Sequence, residues 1–237
     1  MRKILVLSWA CLLVGWMLGY NATEAWEVFR QANSLRDAGR MQDLVQQLEL
    51  QCPQDPSLYT VLASCLFRYA DWGNFSKSQR KEWYTRAVSA GDKAVEVDES
   101  DPTAHYALGL ASGRLAELKG LTGLGLLKDF EFHLQRTLEL VPEHYLALYA
   151  LAMRYRDAPW PMKDLDRAED FYLRSLASEP GYLNASYDLA LLYLEQKRPE
   201  KAIPLLEFVV HAALHPDWTE ESRVMQQLAR EELETLR

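Results

Sequence analysis

Tyr106-Ala107-Leu108-Gly109-Leu110 returns as Tyr149-Ala150-Leu151-Ala152-Met153 and again as Tyr187-Asp188-Leu189-Ala190-Leu191, at intervals of 43 and 38 residues. The shared pattern is Tyr-x-Leu-small-(Leu/Met). Thr60-Val61-Leu62-Ala63-Ser64 is a weaker copy upstream, and a more degenerate unit covers Ala25 to Pro53. Between the copies, Arg136-Thr137-Leu138 is followed by Pro142, and Arg174-Ser175-Leu176 by Pro180. Each unit therefore reads as a helix carrying the small residue, a loop, a second amphipathic helix, and a proline that stops it. Gly109, Ala152 and Ala190 let the second helix approach closely, and Ala168 and Ala202 supply small partners from the other side. A pair of this kind cannot bury its apolar face alone, so successive pairs stack and share one core. The prediction is an all-α helical-hairpin solenoid, a right-handed superhelix of four to five pairs over residues 23–237 with a C-terminal capping helix.

Composition agrees. Of 237 residues, 49% are hydrophobic and 25% charged, which describes a chain that folds. Eleven glycines and ten prolines are poor material for an all-β chain full of tight turns. The net charge is −8, and losing Arg2 and Lys3 with a cleaved leader takes it to −10. No basic excess is left to neutralise phosphates, so a nucleic-acid partner is disfavoured.

Met1-Arg2-Lys3 precedes Ile4 to Tyr20, an uncharged apolar run. This is an export signal over residues 1–22, and its length fits either a cleaved signal peptide or an N-terminal membrane anchor. The basic residues keep the N-terminus inside and send Asn21 onward across the membrane. Lipidation at Cys11 is a third option, but it leaves only Ile4 to Ala10 as the apolar run and puts Trp9 beside the cleavage point. Past the leader only Cys52 and Cys65 remain, spaced some 12 Å apart along neighbouring helices at about 1.5 Å per residue. A disulfide needs Cα atoms within about 7 Å, so two buried thiols are expected.

The repeat resembles the tetratricopeptide repeat. Leu151-Ala152-x-x-Tyr155, Ala168-x-x-x-Tyr172, Ser175-Leu176 and Pro180 fall on its pattern, and Leu189-Ala190-x-x-Tyr193 with Ala202 repeats it. The third unit is stretched by Lys119-Gly120-Leu121-Thr122-Gly123-Leu124-Gly125-Leu126-Leu127. No Gly-Lys-(Ser/Thr) follows these glycines, so they read as a flexible inter-helix connection and not as a phosphate cradle. A second resemblance runs through Ala104-His105-Tyr106-Ala107-Leu108-Gly109, Gly113-Arg114-Leu115-Ala116-Glu117-Leu118-Lys119-Gly120, Leu127-Lys128-Asp129-Phe130 and Arg136-Thr137-Leu138-Glu139-Leu140. This stretch resembles the T-component family of bacterial TRAP transporters, and Trp83 to Asp98 and Leu58 to Ala70 also fit it. The same region is similar, at greater distance, to the eukaryotic regulators of microtubule dynamics. The first resemblance implies a periplasmic, often lipid-anchored and oligomeric scaffold that works beside a solute-binding protein. The expected partner is then a protein, a periplasmic solute-binding protein by that resemblance, with homo-oligomerisation open and the membrane touched only through an uncleaved leader.

In a stacked array the first helix of each pair lines the concave side. Tyr106, Tyr149 and Tyr187 then form one stripe and Leu110, Met153 and Leu191 its neighbour, with the cationic tips of Arg68, Arg114 and Arg156 further along. Such a groove suits an amphipathic peptide, an extended polypeptide or a hydrophobic small molecule, and the arginines could hold a carboxylate. Tyr, Leu and Met at helical spacing are equally the material of a core, and the arginines of salt bridges. Asp217-Trp218-Thr219-Glu220 predicts a capping box opening a last helix that runs to Arg237. That helix caps the last pair or folds back and fills the groove.

Chemistry is sparse. His211 and His215 stand at i and i+4, a helical spacing that can bind zinc, but no Glu lies between them as in H-E-x-x-H and no third ligand is placed. His105, His133 and His144 fall in one unit on three helical faces and read as core or surface histidines. There is no G-x-S-x-G, C-x-x-C or Walker pattern, so neither an enzyme nor a cofactor is expected. Two functions are left: an exported scaffold that binds a protein, or a periplasmic carrier of a hydrophobic small molecule in the groove.

Overall fold

The computed structural model describes residues 19–158 and 162–236, and the expected leader lies almost wholly outside them. Among the described residues all regular structure is helical, in antiparallel hairpins. These are α1 (Ala22–Ser34) with α2 (Ala38–Gln51), α3 (Tyr59–Trp72) with α4 (Lys77–Val97), and α5 (Pro102–Lys119) with α6 (Leu124–Leu140). They continue as α7 (Tyr145–Asp157) with α8 (Leu165–Ser178) and α9 (Leu183–Glu195) with α10 (Pro199–His211), and α11 (Thr219–Thr235) follows as a last single helix.

Local chemistry sets the helix starts. Asn21 with Glu24 and Ser76 with Gln79 form capping boxes at α1 and α4, while Asp37, Asp101 and Asp164 accept backbone N–H groups ahead of α2, α5 and α8. Pro53, Pro142 and Pro180 each lie two residues beyond the end of a second helix, as the repeat pattern predicts.

Burial separates the two helices of each pair. The second helices bury a single stripe, such as Met41, Leu44, Val45 and Leu48 on α2 or Ala168, Tyr172 and Ser175 on α8. The first helices are buried on most sides: every residue from Thr60 to Phe67 on α3 is covered. They form the inner layer, and small residues set the spacing. Ala152, Ala168, Ala190 and Ala202 are 0% exposed, and a Cβ on Gly109 would lie 3.3 Å from His133 Cβ and 3.4 Å from Leu134. Tyr106 and Leu110 pack on both the N-terminal and the middle parts of the core, and Tyr155 and Phe171 on both the middle and the C-terminal parts.

Two expectations are corrected. The glycine-rich stretch is not a loose connection: Gly120–Gly123 is a 3₁₀ turn in which Gly120 takes φ +57° and ends α5. A Cβ on Gly123 would sit 2.7 Å from the Ala116 backbone, so the turn lies against α5 too closely for a side chain. The expected capping box at Asp217 does not form, because Pro216–Trp218 makes a 3₁₀ turn ahead of α11. The Asp217 backbone N–H donates to His215 Nδ1 (3.1 Å), which caps that turn instead.

Candidate functional site

The C-terminal segment reaches across the concave face to the first helix. The Ser34 hydroxyl at the end of α1 donates to the Pro216 carbonyl, and the Thr219 N–H donates back to it (3.2 Å). Trp218 is nearly buried: its Nε1–H donates to the Tyr145 hydroxyl (2.9 Å), its ring meets that of Tyr182 edge-on at 6.0 Å, and the Arg68 guanidinium lies 4.7 Å above it. Glu221 on α11 pairs with Arg68 on α3. Of the two alternatives for the last helix, the structure has both at once, since α11 also packs on α9 and α10.

This crossing partly covers the concave face and leaves a half-open lumen of about 530 Å³. Its wall runs from the α1–α2 turn (Arg36) through α3 (Arg68, Asp71), α4 (Arg80, Tyr84), α5 (Arg114, Glu117) and α7 (Tyr149, Met153) to α11 (Glu221, Met225). Asp71 is the hub, accepting the Tyr84 hydroxyl (2.6 Å) and standing 3.5 Å from Arg68 and 3.4 Å from Arg114. Burial opposes the charge of Arg68, but Glu221 and Asp71 outweigh it and hold the guanidinium protonated. Burial, then Asp71, pushes the Tyr84 hydroxyl well up.

A second cavity of about 310 Å³ lies beside the insert. It is walled mainly by apolar groups of α5, α6 and α7, among them Leu110, Leu124, Leu127, Phe130 and Met153. Arg114, Glu117 and Met153 line both cavities and form the partition between them. Gly113 makes room here, since a Cβ on it would meet the Phe130 ring at 2.6 Å.

The predicted groove residues divide accordingly. Arg68, Arg114, Tyr149 and Met153 face the lumen, and Leu110, Arg114 and Met153 the side pocket. Tyr106, Arg156, Tyr187 and Leu191 line neither. Tyr106 packs against Phe67 and His144. Arg156 pairs with Asp188 (2.8 Å) and Asp157 (2.7 Å), and Tyr149 donates to the same Asp188 (2.7 Å). Tyr187 and Leu191 are half-buried on α9. Arg36, Arg80 and Glu221 belong to the site without any signal in the repeat, because they come from a turn, a helix start and the last helix.

His105 is a buried residue, one of the two readings its sequence position offers, and its pairing with His133 is new. His105 and His133 are brought together, Nδ1 to Nδ1 at 2.9 Å, while His105 Nε2 meets the Glu99 carbonyl at 2.9 Å. Burial, then the His105 ring, pushes His133 down to about 4. His144 caps α7 by accepting from the Ala147 N–H. His211 and His215 do not share a helix, because α10 ends at His211. Among the described residues no cluster of three metal-ligating side chains occurs. Cys52 and Cys65 are buried thiols, with burial pushing Cys52 up to about 11 and Cys65 also upward. No helix among the described residues is long and apolar enough to cross a membrane.

Two family models match the chain. That of regulator of microtubule dynamics protein 1-3 covers residues 24–155, a span containing the insert, and a tetratricopeptide repeat model covers residues 162–218. No curated protein matches. Among solved structures the fold is similar to TTC0263, a thermophilic TPR protein in Thermus thermophilus, with a TM-score of 0.63 at 19% identity over 86% of this chain and 98% of that one. It is also similar to MamA, with a TM-score of 0.50 at 18% identity over 83% of this chain and 94% of that one. At such identities the likeness is one of fold alone. With repeat, hairpin geometry and family match in agreement, the chain is a tetratricopeptide-repeat protein and belongs to the regulator of microtubule dynamics protein 1-3 family.

Proposed function

We propose that this protein is an exported, non-catalytic scaffold of the periplasm that holds a protein partner, as the accessory T component of a TRAP-type uptake system beside its solute-binding protein. The observation that carries this reading is the insert. The stretch resembling T components, residues 104–140, is the one that builds α5, the 3₁₀ turn and α6, and it leaves Leu121 88% exposed on the turn and Leu124, at the side pocket, 59% exposed. Apolar side chains held out on a rigid turn are a docking feature. Helical-repeat proteins commonly use their concave surface, but here α11 crosses it and takes up part of it, so docking moves to the insert. The basic residues and apolar run before Asn21 support export.

Surface plasmon resonance against the TRAP solute-binding protein of the same organism tests the proposal. The paired change Leu121→Glu with Leu124→Glu should abolish binding while Tyr187→Ala leaves it intact. Equal binding by both variants, or none by the unmodified protein, would contradict it.

The side pocket favours a second reading, a carrier of a hydrophobic small molecule. Its wall of Leu110, Leu124, Leu127, Phe130 and Met153 suits an apolar ligand. Native mass spectrometry of the purified protein should then show a discrete retained apolar mass, and a bare protein mass would remove this reading.

A further inference from the structure

The lumen carries charge that neither the scaffold nor the apolar carrier requires. Four arginines line it, Arg36, Arg68, Arg80 and Arg114, against three carboxylates, Asp71, Glu117 and Glu221, an excess of one positive charge. Arg68 is consumed by Glu221 and Asp71, and Arg114 by Asp71 (3.4 Å) and Glu117 (3.3 Å). Arg36 reaches only Glu221, at 4.0 Å, and Arg68 already holds that carboxylate. Arg80 makes no ion pair and no side-chain hydrogen bond among the described residues. The Nε atoms of both Arg36 and Arg80 are buried without a partner. Arg36 also sits in the left-handed turn between α1 and α2 at φ 50°, a conformation that costs a residue with a side chain.

Buried donors without partners are rare in folded proteins and call for an explanation such as a bound group. Arginine forks fit the oxygens of an oxyanion, and an excess of one positive charge is neutralised by a monoanion. Two further atoms of the lumen wall are buried without a hydrogen-bond partner: Arg114 Nε, which has Asp71 at 3.4 Å as its counter-charge, and Asn184 Oδ1. With no donor to Asn184 Oδ1, the ligand should itself donate.

We propose that the lumen is a binding site for a small oxyanion that also carries a hydrogen-bond donor, with Arg36 and Arg80 taking the oxyanion and Asn184 accepting from the donor. Hydroxylated carboxylates and protonated phosphates share this chemistry. A cavity of about 530 Å³ accepts either.

Isothermal titration calorimetry of the exported protein, at constant ionic strength, with gluconate, hexanoate and inorganic phosphate as probes is the test. Gluconate or phosphate should bind, and which of them does so identifies the source of the oxyanion. Hexanoate, with the same chain length as gluconate and no hydroxyl, should bind at least about tenfold more weakly. Arg80→Gln should weaken the bound probe about tenfold or more with an unchanged melting temperature, since no ion pair is lost. Arg167→Gln, outside the lumen, should leave binding as it was. Binding of none of the probes, or equal binding by Arg80→Gln and the unmodified protein, overturns the site, and hexanoate binding as tightly as the probe that binds overturns the role given to Asn184. The partner-docking test reads the insert surface, so either proposal can fail without the other.

Discussion

Replacing Trp218 with alanine should unlatch the two ends of the chain from each other. The ring is 9% exposed, donates to Tyr145, meets Tyr182 and lies under Arg68. A buried tryptophan removes about 150–250 Å² from water, and at about 25 cal/mol per Å² this is roughly 4–6 kcal/mol as an upper bound. Buried Trp→Ala changes cost about 3–5 kcal/mol, so about 4 kcal/mol is expected here. For a chain of this size each kcal/mol shifts the melting temperature by about 2–4 °C, giving a drop of roughly 8–16 °C by calorimetry. Location is the sharper readout. The 3₁₀ turn carrying Trp218 packs on α1, so hydrogen exchange should quicken in residues 22–34 as well as around the substitution. Phe208→Ala, at a residue 45% exposed on α10, should stay within about 0.5 kcal/mol of the unmodified protein. An unchanged melting temperature, or faster exchange confined to α10 and α11, would refute the latch.

Three smaller predictions follow from local geometry. Gly123→Ala places a Cβ 2.7 Å from the Ala116 backbone, which cannot swing aside, so it should cost about 1–3 kcal/mol by denaturant titration and displace the insert. Below its ordinary value of 6.5 and above about 4, His133 is protonated in the unfolded chain but neutral when folded, so stability should fall as pH drops through that window. His144, lowered by burial, adds in the same direction, and His133→Gln should flatten the profile there. Cys52 and Cys65 should be silent to a thiol reagent in the native protein and titrate only on unfolding, because burial both covers them and disfavours the thiolate.

The hairpins were legible in the chain because their determinants are local. Tyr-x-Leu-small recurs at hairpin spacing, and prolines follow the second helices. The same pattern placed Arg68, Arg114, Tyr149 and Met153 on three inner helices whose faces converge on the lumen. The return of the last helix was legible only as one of two alternatives, and where it lands not at all, since Ser34 and Thr219 meet across 185 positions and neither belongs to the repeat. Arg36 and Arg80 escaped for the same reason. Asp217 failed as a cap because a proline one residue earlier opens a 3₁₀ turn that His215 caps. His105 and His133 stand 28 positions apart on different helices, so their contact arises only once α5 and α6 pack together.

The crossing of the concave face is tested most directly by joining its two lips. Ser34 Oγ and Thr219 Oγ1 are 3.1 Å apart, so Ser34→Cys with Thr219→Cys places two thiols within reach of a disulfide. Under mild oxidation, peptide mass mapping should find the 34–219 linkage within one chain, with a faster-migrating band on non-reducing electrophoresis. If both cysteines stay free, or only chain-to-chain dimers form, the C-terminal segment does not cross the concave face.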